Sequence, residues 1–245
     1  MHKNNRFTVE YCLIKDGQDT NELLILEPKN FILEESILFF HGHQVGMRVG
    51  AWETPRYLLP LIKNGYRIVV PSILGYGKTT GSPDYCGPNT MNRIEHTVQG
   101  YIKSPIHVMG ASRGGTLAVL FAEHYPELTK TCTAIAGTYD PKSLAESTSD
   151  QKMKENIVTE TNSEKDAYEV RNPRTLWQKL NSPLHIVHGE EDEQIPFSQA
   201  ESFSLFLQDK GLNPQLTKLE KSGHKLFSEK VFEEIIIPFL KRIQE

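Results

Sequence analysis

The sequence has few cysteines, no long apolar run and no concentration of basic residues, and each of these absences argues against a class of protein. Three cysteines, Cys12, Cys86 and Cys132, are too few and too far apart for a disulfide framework, which favours a reducing, cytoplasmic location. No apolar run approaches the roughly 20 residues of a membrane-spanning helix, and the first residues lack the apolar core of a signal peptide. The net charge is −4 and the basic residues are scattered, so nucleic-acid binding is not expected.

What the sequence does contain is a regular alternation of short apolar runs and helix-forming stretches. Residues 7–13 alternate apolar and polar side chains, and a turn separates them from a second extended stretch at residues 22–26, as in an antiparallel pair of strands. Six further runs predict strands, at residues 36–40, 66–70, 105–109, 132–136, 183–187 and 215–219, and the continuous apolar run at residues 36–40 fits a strand buried on both faces. The alternation predicts one α/β domain over residues 1–245, with a mostly parallel twisted sheet of about eight strands, an antiparallel N-terminal edge and helices on both faces.

The segment Gly110–Gly114 reads Gly-Ala-Ser-Arg-Gly and lies between a predicted strand and a helix-forming stretch. It fits the pattern G-x-S-x-G, in which a serine at a tight turn exposes its hydroxyl at the end of a strand. The pattern also occurs by chance, so its strand–turn–helix context carries the interpretation. Ser112 is therefore the candidate nucleophile.

A serine nucleophile needs a base and an acid that orients the base, and both are expected after later strands. The acidic loop after the strand at residues 183–187 offers Asp192, with Glu191 and Glu193 as alternatives. His224 follows the last predicted strand and is the candidate base. His188 precedes the acid and is interpreted as structural.

The loop after the strand at residues 36–40 is the candidate partner in an oxyanion hole. Its backbone N–H at His43, or less favourably at Gln44, would act together with the backbone N–H of Arg113. His41 and His43 also allow a metal-binding interpretation, but the sequence offers no third ligand nearby, so no metal or other cofactor is expected.

These segments together resemble the α/β-hydrolase family from about residue 31 to residue 239. The pieces that carry the resemblance are Phe40-His41-Gly42-His43, the turn at Gly110–Gly114, His188-Gly189-x-x-Asp192 and Gly223-His224. Finer features resemble the prolyl-oligopeptidase and dienelactone-hydrolase branch: Gly75-Tyr76-Gly77, Ser112-Arg113-Gly114-Gly115 and Arg171-Asn172-Pro173. The sequence departs from the peptidases in its His-Gly-His loop and in the absence of a propeller domain.

The resemblance implies a serine hydrolase that cleaves a carboxylic ester, thioester or amide of a small acyl substrate through an acyl-enzyme. The alternatives are a small serine peptidase or aminopeptidase, an acyltransferase, and a catalytically silent binding protein with the same fold. The polar segment at residues 138–181 lies where the family inserts a small lid. Its aromatic residues either line an acyl pocket or pack the segment onto the body. The candidate substrate contacts are Gln44, Tyr76, Tyr139 and Trp177, and Tyr85 also borders the expected mouth.

Overall fold

The computed structural model describes residues 7–29, 33, 35–43, 58–102, 105–161, 166–226 and 228–242. Within these ranges the chain forms a sheet of eight strands. The strands are β1 (Phe7–Asp16), β2 (Asp19–Pro28), β3 (Ser36–Phe40), β4 (Arg67–Pro71), β5 (Ile106–Ala111), β6 (Thr129–Ile135), β7 (Leu184–Gly189) and β8 (Gln215–Leu219).

The spatial order of the strands is β1-β2-β4-β3-β5-β6-β7-β8. β2 runs antiparallel to both β1 and β4, and every other neighbouring pair is parallel. The predicted mostly parallel sheet with an antiparallel edge is therefore confirmed. Because parallel strands end at the same edge, the loops after β3, β5, β7 and β8 gather there.

Helices cover both faces of the sheet, as predicted. They are α1 (Leu59–Lys63), α2 (Pro88–Val98), α3 (Arg113–His124), α4 (Pro141–Ser147), α5 (Gln151–Thr161), α6 (Ser198–Asp209), α7 (Glu229–Val231) and α8 (Ile237–Arg242). A π-helical stretch, Phe232–Ile236, joins α7 to α8, and short 3₁₀ turns lie at Glu169–Arg171 and Trp177–Lys179. No helix of the described residues is long and apolar enough to cross a membrane.

The two-residue period of β3 shows how one strand supplies both halves of the core. Leu38 and Phe40 pack with the apolar residues of α2, α3 and α6, whereas Ile37 and Phe39 pack with those of α1 and α8. All four side chains are buried, which explains why a strand covered on both faces has a continuous apolar sequence.

The polar segment after β6 contains α4 and α5. Asp140 caps α4, since its Oδ1 accepts the backbone N–H of Ser143 at 2.9 Å. A separate apolar cluster lies beneath these two helices and includes Leu144, Ile157 and Ile195. Because Ile195 lies in the loop after β7, the segment packs directly on the carboxyl edge of the sheet.

Glu123 on α3 is a buried acid with no hydrogen-bond partner for either carboxyl oxygen among the described residues. Burial raises its pKa well above the ordinary value of 4.5. The unfolded chain therefore releases the proton at a lower pH than the folded chain does. As pH rises above about 4.5, the folded state loses stability relative to the unfolded state.

We expect Glu123→Met to raise the free energy of unfolding at pH 8 by about 1–3 kcal/mol, because it removes an unpaired buried polar group at similar volume. Urea unfolding at pH 5 and pH 8 measures the effect, and the gain should be larger at pH 8. Exposed Glu127 serves as the control, and Glu127→Met should change neither value appreciably. An equal gain at both pH values would contradict the assignment of a raised pKa.

Candidate active site

Ser112 lies in the sharp turn between β5 and α3, with a backbone φ of 56°. A positive φ strains a non-glycine residue and persists only where the surrounding structure enforces it. The flanking glycines permit this turn. A Cβ on Gly110 would lie 2.0 Å from the oxygen of Gly114, and one on Gly114 would lie 2.1 Å from the oxygen of Phe40. The turn holds the Ser112 side chain in the wall of a cavity.

Two successive hydrogen bonds link Ser112 to His224 and His224 to Asp192, three residues from distant parts of the sequence. The Oγ of Ser112 lies 3.0 Å from Nε2 of His224, and Nδ1 of His224 lies 2.8 Å from Oδ2 of Asp192. In the neutral tautomer that suits these contacts, the serine hydroxyl donates to Nε2, and Nδ1–H donates to the carboxylate. The structure thus brings together the three residues expected from the sequence, while Glu191 and Glu193 are exposed.

Asp192 is buried, and hydrogen-bond donors meet both of its carboxylate oxygens. Oδ1 accepts the backbone N–H groups of Gln194 at 3.0 Å and Ile195 at 2.9 Å. Oδ2 faces His224 and also lies 3.3 Å from Nε2 of His188. Burial favours the neutral acid, but the hydrogen bonds from His188 and His224 hold the pKa of Asp192 well below its usual value. The carboxylate is therefore ionised at neutral pH.

His188 is a site residue whose role the sequence reasoning missed. Its ring is fully buried, and Nε2 lies 2.8 Å from the carbonyl oxygen of Ile195 as well as near Asp192. Both neighbours are acceptors, so Nε2 carries a proton and donates. Nδ1 has no partner within the described ranges. The available signal was the spacing of four residues between His188 and Asp192 directly after a buried strand.

The loop after β3 lies beside the serine. A Cβ on Gly42 would be 3.1 Å from Cβ of Ser112, so only glycine allows this approach without a shift. His41 is buried, and its ring donates from Nδ1 to the Gly42 carbonyl and accepts at Nε2 from the N–H of Ile73. Both ring nitrogens are therefore engaged. No cluster of three metal-ligating side chains occurs in the part of the chain that the structure describes.

A hydrogen bond to Tyr76 positions the side chain of His43. The Tyr76 hydroxyl lies 2.5 Å from Nδ1 of His43 and accepts a hydrogen bond from Nη1 of Arg113 at 2.8 Å. Burial, reinforced by the charges of Arg113 and Lys152, lowers the pKa of His43 to about 4. His43 is therefore neutral at neutral pH, with Nδ1 accepting the Tyr76 proton.

The side chain of Arg113 connects the serine turn to α5. Its Nη1 lies 2.6 Å from Oε2 of Glu160, and the same oxygen accepts the backbone N–H of Tyr85 at 3.1 Å. The Arg113 and Glu160 side chains are only 5% and 8% exposed. The guanidinium also lies over the Tyr85 ring, 4.8 Å from its centroid. This buried ion pair fixes α5 to the first residue of α3.

The cavity at Ser112 has a volume of about 770 Å³. Apolar side chains from α4, α5 and the loop after β7 form part of its wall, and two lysines and one aspartate also line it. Its lining comprises Gly42, His43, Tyr85, Ala111, Ser112, Arg113, Ile135, Ala136, Thr138, Leu144, Asp150, Lys152, Met153, Asn156, Gln194, Ile195, His224 and Lys225. Tyr85 therefore borders the cavity, as the sequence suggested.

Three predicted substrate contacts lie outside this wall, and they require correction. Tyr76 is fully buried behind His43, where it positions the loop. Tyr139 is fully buried and stacks on Phe203 of α6 with ring centroids 4.7 Å apart. Trp177 packs edge-on against Phe206 of the same helix. Tyr139 and Trp177 thus follow the alternative interpretation, in which aromatic residues pack the segment onto the body. Gln44 lies outside the described residues.

Comparisons with known proteins identify the family and the fold of the chain. The sequence profile of the prolyl oligopeptidase family matches residues 91–237, which include Ser112, Asp192 and His224. The uncharacterised peptidase YtmA of Bacillus subtilis is 22% identical over 191 residues, covering 75% of this chain and 73% of that protein. Lipase 1 of Psychrobacter immobilis is 34% identical over 88 residues, covering 33% of this chain and 28% of the lipase.

Solved structures share the fold across nearly the whole chain. The acylaminoacyl peptidase of Pyrococcus horikoshii superposes with a TM-score of 0.75 at 17% identity, covering 99% of this chain and 45% of the peptidase. The 2-hydroxy-6-oxo-6-phenylhexa-2,4-dienoate hydrolase of Rhodococcus superposes with a TM-score of 0.64 at 14% identity, covering 97% of this chain and 99% of that structure. The α/β-hydrolase fold is confirmed. The chain spans less than half the length of the lipase and of the acylaminoacyl peptidase.

We expect Glu160→Gln to lower the free energy of unfolding by about 3 kcal/mol, because it leaves the buried Arg113 charge without its counter-ion. Urea denaturation measures the change. Glu155→Gln is the matched control on the same helix, and because Glu155 is exposed its effect should stay within about 0.5 kcal/mol. Equal effects of the two substitutions would argue against the ion pair as the tether of α5.

Proposed function

The chain belongs to the prolyl oligopeptidase family, and we propose from this premise that it is a serine hydrolase that cleaves a carboxylic ester, thioester or amide of a small substrate. The observation that carries the proposal is the hydrogen-bonded series Ser112–His224–Asp192 in the wall of a cavity of about 770 Å³. This volume falls in the range usual for sites that bind small molecules. The family match and the names of the relatives support a hydrolytic enzyme, and the residue roles are our inference.

In the first step, the Oγ of Ser112 bonds to the substrate carbonyl carbon while Nε2 of His224 takes the hydroxyl proton. The electron pair of the carbonyl double bond moves to its oxygen, which becomes the oxyanion. The ionised Asp192 keeps Nδ1 of His224 protonated and stabilises the imidazolium that forms. The observed Oγ–Nε2 distance of 3.0 Å already suits this proton transfer.

We assign the oxyanion hole to the backbone N–H groups of Arg113 and His43. Arg113 is the first residue of α3, whose opening N–H groups lack acceptors within the helix. The His43 loop passes close to Ser112, since a Cβ on Gly42 would lie only 3.1 Å from the Cβ of Ser112. Loss of one such donor typically costs about 3 kcal/mol of transition-state stabilisation.

The oxyanion then collapses, the bond to the leaving group breaks, and His224 returns its proton to that group. Water attacks the resulting acyl-enzyme, with His224 taking a proton from the water and giving it back to Oγ as the acid leaves. Each proton removed is returned, so Ser112 and His224 end in their starting states.

We also propose that residues 138–181 act as a small lid over this site. α4 and α5 contribute Leu144, Met153 and Asn156 to the cavity wall, and the Arg113–Glu160 ion pair anchors α5 beside the serine. A small serine peptidase remains the second candidate, because the family is named for peptidases and one relative is named as a peptidase. Release of an amine from aminoacyl amides, compared with the release of an alcohol from esters, distinguishes the two activities.

We expect Ser112→Ala to abolish labelling by a fluorophosphonate probe and to remove nearly all hydrolysis of p-nitrophenyl esters of two to twelve carbons. The physical reason is that no other group in the series can form the acyl-enzyme. Ser147→Ala, at an exposed serine on α4, is the control and should label like the wild type. Labelling of Ser112→Ala, or failure of the folded wild type to label, would refute the assignment.

We expect His188→Phe to lower kcat by roughly tenfold or more with little change in KM, because Asp192 loses one charge-assisted hydrogen bond. His188→Gln keeps an N–H donor and should recover most of that loss. Thermal unfolding of both variants checks that each is folded. Equal losses in the two variants, or a loss confined to KM, would contradict a role in positioning Asp192.

A further inference from the structure

Two lysines, Lys152 on α5 and Lys225 beside His224, line the cavity that holds Ser112. Neither ammonium group has a hydrogen-bond or ion-pair partner among the residues that the structure describes. Unpaired lysines on open surfaces are common, but these two share one concave wall with the proposed nucleophile. They therefore add positive charge to the wall that a bound substrate meets.

The other charged groups of the wall are already engaged or neutral. Arg113 is paired with Glu160, and His43 is uncharged at neutral pH because its pKa is lowered to about 4. Asp150 directs Oδ1 to the backbone N–H of Met153 at 3.0 Å, at the start of α5. The two positive charges of the lysines therefore exceed the one negative charge of Asp150, the only carboxylate among the described lining residues.

Lys152 lies near His43, which belongs to the loop after β3 and lines the cavity beside Ser112. The charge of Lys152 contributes to the lowered pKa of His43, after burial and the charge of Arg113. Such an effect requires proximity, because the Coulomb interaction between partly solvated groups falls quickly with distance. Lys225 is the neighbour of His224 in the sequence, and both residues line the cavity that holds Ser112.

Part of the remaining wall is apolar and suits a hydrocarbon chain. Leu144, Met153 and Ile195 come from three different elements, and the Tyr85 ring lies against them. Burial of the methylene groups of a substrate on such a surface favours binding, because apolar area is removed from water. A ligand that satisfies both parts of the wall has an apolar chain and an anionic group.

We propose that the site prefers acyl substrates that carry an anionic group on an apolar chain, with Lys152 and Lys225 as the residues that determine this preference. The inference rests on the proposed function, since it names the substrate class of the same site. Exposed ion pairs contribute about 0.2–1 kcal/mol, which corresponds to a preference of up to about fivefold for each lysine.

The test compares two esters of equal carbon number, mono-p-nitrophenyl suberate, which ends in a carboxylate, and p-nitrophenyl octanoate, which ends in a methyl group. The measured quantity is the ratio of their kcat/KM values. Lys152→Met and Lys225→Met should each lower the ratio by about two- to fivefold, through KM of the suberate ester. The double variant should lower it further, and 0.5 M NaCl should reduce the wild-type ratio because salt screens exposed charges.

Lys154→Met is the matched control, because Lys154 is an exposed lysine of the same helix that does not line the cavity. Its ratio should equal that of the wild type. If the double variant keeps the wild-type ratio, or if Lys154→Met lowers the ratio as much as Lys152→Met does, the preference for anionic substrates is overturned. The proposed function would still stand if both esters are cleaved and Ser112→Ala cleaves neither.

A binding measurement separates the two proposals when turnover is absent. Calorimetric titration of Ser112→Ala with monomethyl suberate and with methyl octanoate requires no catalysis. Tighter binding of the suberate, lost in the Lys152→Met and Lys225→Met background, supports the anion preference even if the enzyme assignment fails. Equal binding of the two compounds overturns the preference whatever the catalytic result.

Discussion

The close approach of α3 to the ends of β3 and β5 is the constraint on which the rest of the site depends. Main-chain atoms come so near that Gly110 and Gly114 leave no space for a Cβ, and Ser112 is held at a positive φ. This strain persists because β5 is a central strand with buried neighbours on both sides. Once the turn is fixed, His224 and Asp192 need only follow parallel strands to reach it.

Buried ionisable groups are accommodated in three different ways in this fold. Arg113 and Glu160 are paired, so the desolvation of each is offset by the other, and the pair ties α5 to the serine turn. Asp192 keeps its charge because backbone N–H groups and two imidazoles donate to it. Glu123 has no such donors, and burial raises its pKa instead. The charged groups near Ser112 are therefore supported, whereas the unsupported acid lies elsewhere on α3.

Much of the fold and of the candidate site could be predicted because the signals are local. Short extended runs predict the strands, and Ser112, Asp192 and His224 each follow one of them. The strands before Ser112 and Asp192, β5 and β7, are buried along their whole length. The substrate contacts were less predictable, because the sequence pattern around an aromatic residue is the same whether its side chain faces a cavity or the core. Tyr139 and Trp177 pack against α6, whereas Tyr85 borders the cavity. Nothing in the periodicity of a loop distinguishes these cases.

The sequence by itself determined the order of strands and helices along the chain, the glycine-flanked turn at Ser112 and the identities of the acid and base candidates. These features depend on side-chain size, backbone freedom and spacing, all of which are properties of short segments. Only the tertiary structure decided that His188 supports Asp192, that Glu160 neutralises Arg113 and that Lys152 and Lys225 share one wall. Those contacts join residues whose relative positions depend on the packing of several elements at once, and the burial that gives each contact its strength exists only in the folded chain.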